Sequence, residues 1–291
     1  MLKIIDLAAG GGFASAGVLR GLREHGLHAR VVLAVDPWEP AERVYRANHP
    51  GVPFFRGRAE DLDPARLPEA DLILSGPPCQ GDSTLNRCRV ERDRPDRRPE
   101  LAGVKRAVAT LRAHAPVVVM ETVGKFWTTW GREQGASVWP LQDAAWGGFT
   151  CRRRTVLIWG ARPIEPRAAR CRGWGEALPQ WAGVEGIVLA NDADVEVKRR
   201  KHGGIPPWQP GYAVVGHGTA HRLYIRPRGH QTGPVGPEGW KYVHRLTPAE
   251  GAALQGFPDY DLAGLPVRVA QTVVGNGWPS SYGRAVAAAL G

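Results

Sequence analysis

The sequence predicts an α/β protein, a doubly wound, mostly parallel sheet joined to a second, smaller, irregular β-rich domain. Three observations predict it. Short apolar runs ending in acidic or small residues alternate with helical patterns up to Ala161. A glycine turn, Gly10-Gly11-Gly12, separates the first run from the first helix. Beyond Ala161 the chain turns to Pro, Gly, Trp and basic residues and loses its helical period.

The elements follow in order. Leu2 to Leu7 is an apolar strand ending in Asp6-Leu7, and Ala14 to His25 is the helix after the glycine turn. Val31 to Val35 is a second strand with Asp36 at its end, and Pro40 to Asn48 is helical in composition. Leu72 to Ser75 is a third strand, Val104 to His114 a helix, Val117 to Glu121 a fourth strand and Thr155 to Gly160 a fifth. Helical pattern returns at Thr247 to Gln255, where Thr247 caps the helix and Glu250 completes a capping box. Tyr282 to Leu290 is a final helix. The domain organisation expected is 1–161 for the larger body, 162–258 for the smaller, and 259–291 returning to the first.

The 291 residues suffice for a large domain with an appendage. A net charge of +10, carried mostly by arginine, favours a polyanionic partner, since the guanidinium fork matches phosphates and base edges. A GC-rich genome alone raises Arg, Gly, Pro and Ala, but eleven tryptophans do not follow from it. Residues 162–243 hold 12 Lys and Arg against 7 Asp and Glu. The four cysteines form no CxxC pair, which disfavours a zinc site or disulfide framework. No leader and no long apolar span are read, so a cytoplasmic protein is expected.

Several residues stand where α/β sheets carry their chemistry, at strand ends. The glycine turn brings backbone close to a ligand at a helix N-terminus. Asp36 can accept hydrogen bonds from ribose hydroxyls, and Trp38 can stack on a purine or serve as a core aromatic. Because the turn is not GxGxxG, a dinucleotide is not decided. In Gly76-Pro77-Pro78-Cys79-Gln80-Gly81 a cysteine follows a strand end behind two rigid prolines, among residues unsuited to an apolar core. Glu121 ends the next strand, on the same rim. The run Cys151-Arg152-Arg153-Arg154 leads basic residues into the fifth strand.

Taken with His244-Arg-Leu-Thr-Pro-Ala-Glu-Gly-Ala-Ala-Leu-Gln-Gly-Phe-Pro258 and Gln271-Thr-Val-Val-Gly-Asn-Gly-Trp-Pro279, these segments resemble the C5-cytosine DNA methyltransferase family. The resemblance covers nearly the whole chain except the basic module. It implies a Rossmann-like methyltransferase fold, S-adenosylmethionine as cofactor with S-adenosylhomocysteine as product, and no metal. Cys79 would add to C6 of a flipped cytosine, with Gln80 beside it, Glu121 would act at N3, and Arg153 would be the arginine retained before the fifth strand. Asp6, Ala8, Gly10, Gly12, Phe13, Asp36, Trp38, Asp61, Pro77 and Asn276 would surround the cofactor. Ser83, Asn86 and Arg87, on a lid from Gln80 to about Arg98, would face DNA together with Lys198, Arg199 and Arg200. Of the tryptophans in the basic module, Trp174, Trp181, Trp208 and Trp240 could stack or wedge, or make its core.

The resemblance further implies a monomer acting on double-stranded DNA in a bacterial or phage-infected cell, with a cognate restriction enzyme as partner. The sequence departs from the family pattern at Asp82 in the lid, at Thr122 after Glu121, at Thr155 in place of a last arginine, and in a glycine turn one residue short. These departures leave room for two other readings. One is a relative acting on RNA or a nucleotide, or transferring a different group. The other is a catalytically silent DNA-binding homologue.

Overall fold

The structure is a computed structural model that describes residues 1–77, 108–109, 112–122, 125–166, 170, 172–185, 187–190, 205–211, 213–214, 222–225 and 241–291. Cys79, Gln80, Ser83, Asn86, Arg87, Lys198, Arg199, Arg200, Trp240 and the expected lid lie outside the described residues, as does most of the helix expected from Val104 to His114.

The chain divides into two compact units. The first comprises Met1–Leu141, Arg154–Glu165 and Tyr282–Gly291, and the second Gln142–Arg153 and Pro166–Ser281.

In the first unit, β1 (Leu2–Leu7), α1 (Phe13–Glu24), β2 (Ala29–Val35), α2 (Glu39–Asn48), β3 (Phe54–Phe55), β4 (Leu72–Ser75) and β5 (Val117–Thr122) follow one another. After them come α3 (Lys125–Glu133), β6 (Ser137–Gln142) and β7 (Arg153–Trp159). The seven strands lie in the order β3-β2-β1-β4-β5-β7-β6. Pairing is parallel from β3 through β5, whereas β7 runs antiparallel to β5. The central strands read as continuous apolar runs because helices cover both faces of such a sheet, and Ile4, Ile5, Ile73, Leu74, Val119 and Met120 are fully buried.

Register aligns the strand ends. Leu7 pairs with both Val35 and Ser75, and Ser75 with Met120. The residues that follow, Ala8, Asp36, Gly76 and Glu121, thus share one rim, where a doubly wound sheet presents its ligand-binding groups. Gly76 N–H donates to Leu7 O at 3.1 Å, tying the exit of β4 to that of β1. The last helix, α8 (Ser280–Leu290), returns to pack on α1. A Cβ on Gly283 would lie 2.1 Å from the carbonyl carbon of Gly17, so the two backbones touch where only glycine fits.

The second unit holds two single-turn helices, α4 (Trp174–Ala177) and α5 (Pro179–Ala182). It also holds a three-stranded antiparallel sheet of β8 (Ile187–Ala190), β9 (Arg222–Ile225) and β10 (Lys241–Arg245), in the order β10-β9-β8. α6 (Pro248–Leu254) and α7 (Val267–Asn276) complete it. α6 starts with the expected capping box, in which the Thr247 hydroxyl accepts from Glu250 N–H at 3.2 Å and the Glu250 carboxylate accepts from Thr247 N–H at 2.8 Å. Glu250 also accepts from Trp181 Nε1 at 3.0 Å and contacts His244 Nε2 at 2.8 Å. Among the described residues, no helix is long and apolar enough to cross a membrane.

Candidate active site

The turn between β1 and α1 takes its shape from left-handed residues. Ala8 has φ 51°, Gly10 φ 53° and Gly12 φ 84°. A non-glycine residue in this region costs roughly 1 to 3 kcal/mol, which marks Ala8 as held there by its surroundings. A Cβ on Gly12 would stand 2.6 Å from the His49 ring, whose Nε2 contacts Gly12 O at 3.0 Å. Gly10 faces open space.

Asp36 organises this turn from the end of β2. One carboxylate oxygen accepts from Gly10 N–H and the other from Trp38 N–H, both at 2.9 Å. Burial raises its pKa, and the two backbone donors oppose that rise. Each oxygen keeps a lone pair for a further donor, which suits a ligand bearing vicinal hydroxyls. Trp38 lies beside it with 37% of its surface exposed, a flat face on the same rim.

The other expected cofactor residues divide between rim and core. Ala8 and Gly10 are partly exposed. Asp6 is buried beneath the turn and accepts from Ser15 Oγ at 2.6 Å, while Ser15 Oγ also contacts Tyr45 Oη at 3.2 Å. Burial pushes the Asp6 carboxyl up to about 7, against the Ser15 bond. Phe13 opens α1 with its ring in the core, and Pro77 is buried at the exit of β4. Asp61 is exposed and accepts from Arg58 N–H at 3.2 Å. Asn276 is exposed at the end of α7 in the second unit.

Glu121 is 6% exposed at the end of β5. Its carboxylate contacts Arg154, with Nε and Oε1 2.7 Å apart, in an ion pair without an aligned hydrogen bond between those two atoms. The arginine in contact with Glu121 is thus Arg154, not Arg153. Glu121 pairs with Val156 across the antiparallel β5–β7 ladder, and Arg154, two residues before Val156, shares its face and reaches Glu121 on the diagonal. Arg153 has the opposite parity and is exposed.

Arg152 has the same parity as Arg154 but precedes the strand's paired stretch, and it is almost fully buried in the second unit. Its guanidinium donates to Gly277 O at 2.7 Å and to Gln255 Oε1 at 3.3 Å. Gln255 Nε2 donates in turn to Val274 O, and Ser280 N–H to Gln255 O at 2.8 Å. The Leu254-Gln255-Gly256 and Val274-Gly275-Asn276 motifs, far apart in sequence, are therefore joined. Nearby, buried Asp143 accepts from Thr150 N–H at 2.9 Å, from Thr150 Oγ1 at 2.6 Å and from Ser281 Oγ. None of Arg152, Arg154 or Asp143 was singled out for these contacts from sequence. Strand alternation was the available signal for the two arginines.

Comparison with known proteins bears on the same rim. Residues 2–126 match the model of the family described as C-5 cytosine-specific DNA methylase. This stretch of the chain is similar to a C-5 cytosine-specific DNA methylase domain. The matched domain contains the Asp36 turn, the β4 exit and Glu121. The type II methyltransferase M.AgeI of Thalassovita gelatinovora is 29% identical over 55% of this chain, which spans only 39% of that protein. The type II methyltransferase M.NgoBI of Neisseria gonorrhoeae is 24% identical over 95% of this chain and 89% of its own length. The structure of the Entamoeba histolytica methyltransferase EhMeth superposes with a TM-score of 0.70 at 13% identity, covering 98% of this chain and 96% of that one. At that identity the likeness is one of fold alone.

Proposed function

We propose that the chain is an S-adenosylmethionine-dependent DNA (cytosine-5)-methyltransferase. One observation carries this reading beyond the family match. Glu121, a nearly buried carboxylate in contact with Arg154, sits on the rim beside the β4 exit from which the sequence runs into Pro77-Pro78-Cys79.

The residues of the glycine turn fit the nucleoside cofactor. Asp36 has acceptor capacity for a ribose, Trp38 offers a ring face, and the space over Gly10 is open. When bound, the cofactor supplies an electrophilic methyl on a sulfonium. The chain's own residues do the rest. Cys79, as thiolate, bonds to C6 of an extruded cytosine while Glu121 delivers a proton to N3, and the electron pair moves to C5. After C5 gains the methyl, its proton departs to a base and the C6–S bond breaks to restore the Cys79 thiolate, while N3 returns its proton to Glu121 and the ring regains its aromaticity. Arg154 holds the Glu121 carboxylate in place and provides positive charge on the base's polar edge. The cellular setting that fits is the modification half of a restriction–modification pair.

The test is nucleoside analysis of mixed-sequence duplex DNA and of RNA, each incubated with the protein and S-adenosylmethionine, beside a Cys79→Ser control. 5-Methylcytosine in DNA with the native protein alone is the expected result. Product in RNA only would reassign the substrate, and product with Cys79→Ser would remove the covalent mechanism.

A further inference from the structure

We propose that Trp208 is a stacking contact of the second unit with DNA, an inference that rests on the function proposed above. Ten of the eleven tryptophans fall among the described residues, and they sort sharply. Trp127, Trp139, Trp159, Trp174 and Trp278 are buried, and Trp130 and Trp146 are partly buried. Trp181 is partly buried, with its ring nitrogen committed to Glu250 and its face 4.9 Å from the His244 ring. Trp38 belongs to the rim of the first unit. Trp208 alone among the ten is left largely in water, at 74% exposure.

The ring is exposed, but its backbone is fixed. Trp174 N–H donates to Gln209 O and Gly175 N–H to Pro207 O, both at 2.9 Å, and Trp174 Nε1 donates to Ile205 O at 2.9 Å. A Cβ on Gly173 would lie 2.0 Å from Pro207 O and 2.6 Å from the Trp208 Cα, so the two segments are in backbone contact. Three prolines, Pro206, Pro207 and Pro210, stiffen the turn further. A large apolar ring held on a rigid turn and pointed into solvent contributes little to folding. It has lost in advance the freedom that binding would otherwise remove.

Charge decides the partner. Arg170 and Arg172 lie just before Gly173, and the surrounding stretch 162–243 is basic. Both pair with the one carboxylate of Glu176, at 3.7 and 3.1 Å, which leaves a net positive charge beside the turn, and the Arg172 guanidinium also stands 4.1 Å over the Phe149 ring. A partner that meets both a positive surface and a flat apolar ring is a polyanion with planar faces, which describes nucleic acid. For a protein that must open a duplex, the ring stacks on a base exposed at the opened site.

The experiment is a titration of labelled duplex DNA, and in parallel of labelled RNA, with the full chain, Trp208→Ala and Trp208→Phe, repeated over a salt series. Trp208→Ala is expected to bind roughly 5- to 100-fold more weakly, the effect of losing one stacking ring, and Trp208→Phe to recover most of the loss. The slope of log affinity against log salt should not change, because the ring neutralises no phosphate. Nor should the melting temperature, since the side chain is not in the core. Binding by Trp208→Ala within twofold of the native chain overturns the inference, as does a loss accompanied by a lower melting temperature. A loss confined to RNA overturns the assignment to DNA. If the native chain binds no duplex at low salt, the proposed function itself fails, an outcome distinct from any behaviour of the variants.

Discussion

Arg154 Nε stands 2.7 Å from Glu121 Oε1, and strand register alone puts it there, because Val156 opposes Glu121 and Arg154 shares its face. With the side chains of Glu121 and Arg154 only 8% and 19% exposed, each is poorly solvated without the other. Arg154→Met is therefore expected to destabilise the chain by about 3 kcal/mol and to lower turnover at least 100-fold. Arg153→Met should leave both near native. Urea midpoints and methyl-transfer rates on the two variants check this, and equal effects would return the role to Arg153.

Asp36 joins the glycine turn to the ligand rim through both oxygens. Asp36→Ala is expected to weaken binding of S-adenosylhomocysteine by roughly 10- to 100-fold, the cost of losing a charged acceptor. Calorimetric titration measures this without any need for turnover. Unchanged affinity would place the nucleoside elsewhere.

The proton on Asp6 sets a pH dependence. The unfolded carboxyl titrates at 3.8 and the folded one at about 7, so between these values the folded state holds a proton that the unfolded state has lost. Stability contributed by this group is full below pH 4 and falls as pH rises through that window, by roughly 1.4 kcal/mol per pH unit. Asp6→Asn keeps an acceptor for Ser15 and should flatten this slope. Urea denaturation at pH 5, 6, 7 and 8 compares the two, and parallel curves would count against a buried proton.

Gly283→Ala should be costly although alanine favours helices. Its methyl would press on the Gly17 backbone, which cannot yield as a side chain would. A loss of about 2 to 3 kcal/mol is expected, read from thermal unfolding. Gly264→Ser, at a site where a Cβ meets no atom within 4 Å but φ is 61°, is a control for backbone strain without crowding.

Glu250 serves the cap of α6 and also Trp181 and His244. Burial alone would raise its pKa, but the hydrogen bonds from Trp181, Thr247 and His244 outweigh burial and lower it. Thr247→Ala should cost about 1 kcal/mol, the usual value of a cap, and Glu250→Ala distinctly more. Equal losses would mean that Trp181 and His244 add nothing.

The strands β1, β2, β4 and β5 were legible because each is an apolar run closed by a small or acidic residue, and Asp36 and Glu121 declared themselves by ending two of them. β3 escaped notice because two phenylalanines make no pattern, and β6 because Pro140 interrupts it. α7 was hidden inside the Val274-Gly275-Asn276 motif, which reads as a loop until Ala270, Val273 and Val274 are seen buried on one face. The three arginines before β7 could not be assigned from sequence. Their roles depend on parity relative to a partner strand, and parity is known only once Glu121 is placed opposite Val156. The tryptophans of the basic module could not be sorted either, since a ring serves a core and a ligand equally well until its exposure is known.

The contact between Gly17 and Gly283 also governs when the chain can fold. A ribosome adding roughly 5 to 20 residues per second has made β1 and α1 on the order of tens of seconds before α8 is released. Through that interval the second unit can fold as an insertion, while the apolar side of α1 that will meet α8 stays open to water. The first unit is thus the nascent chain's early sheet and also its last part to close, and it is there that a chaperone has the longest opportunity to act.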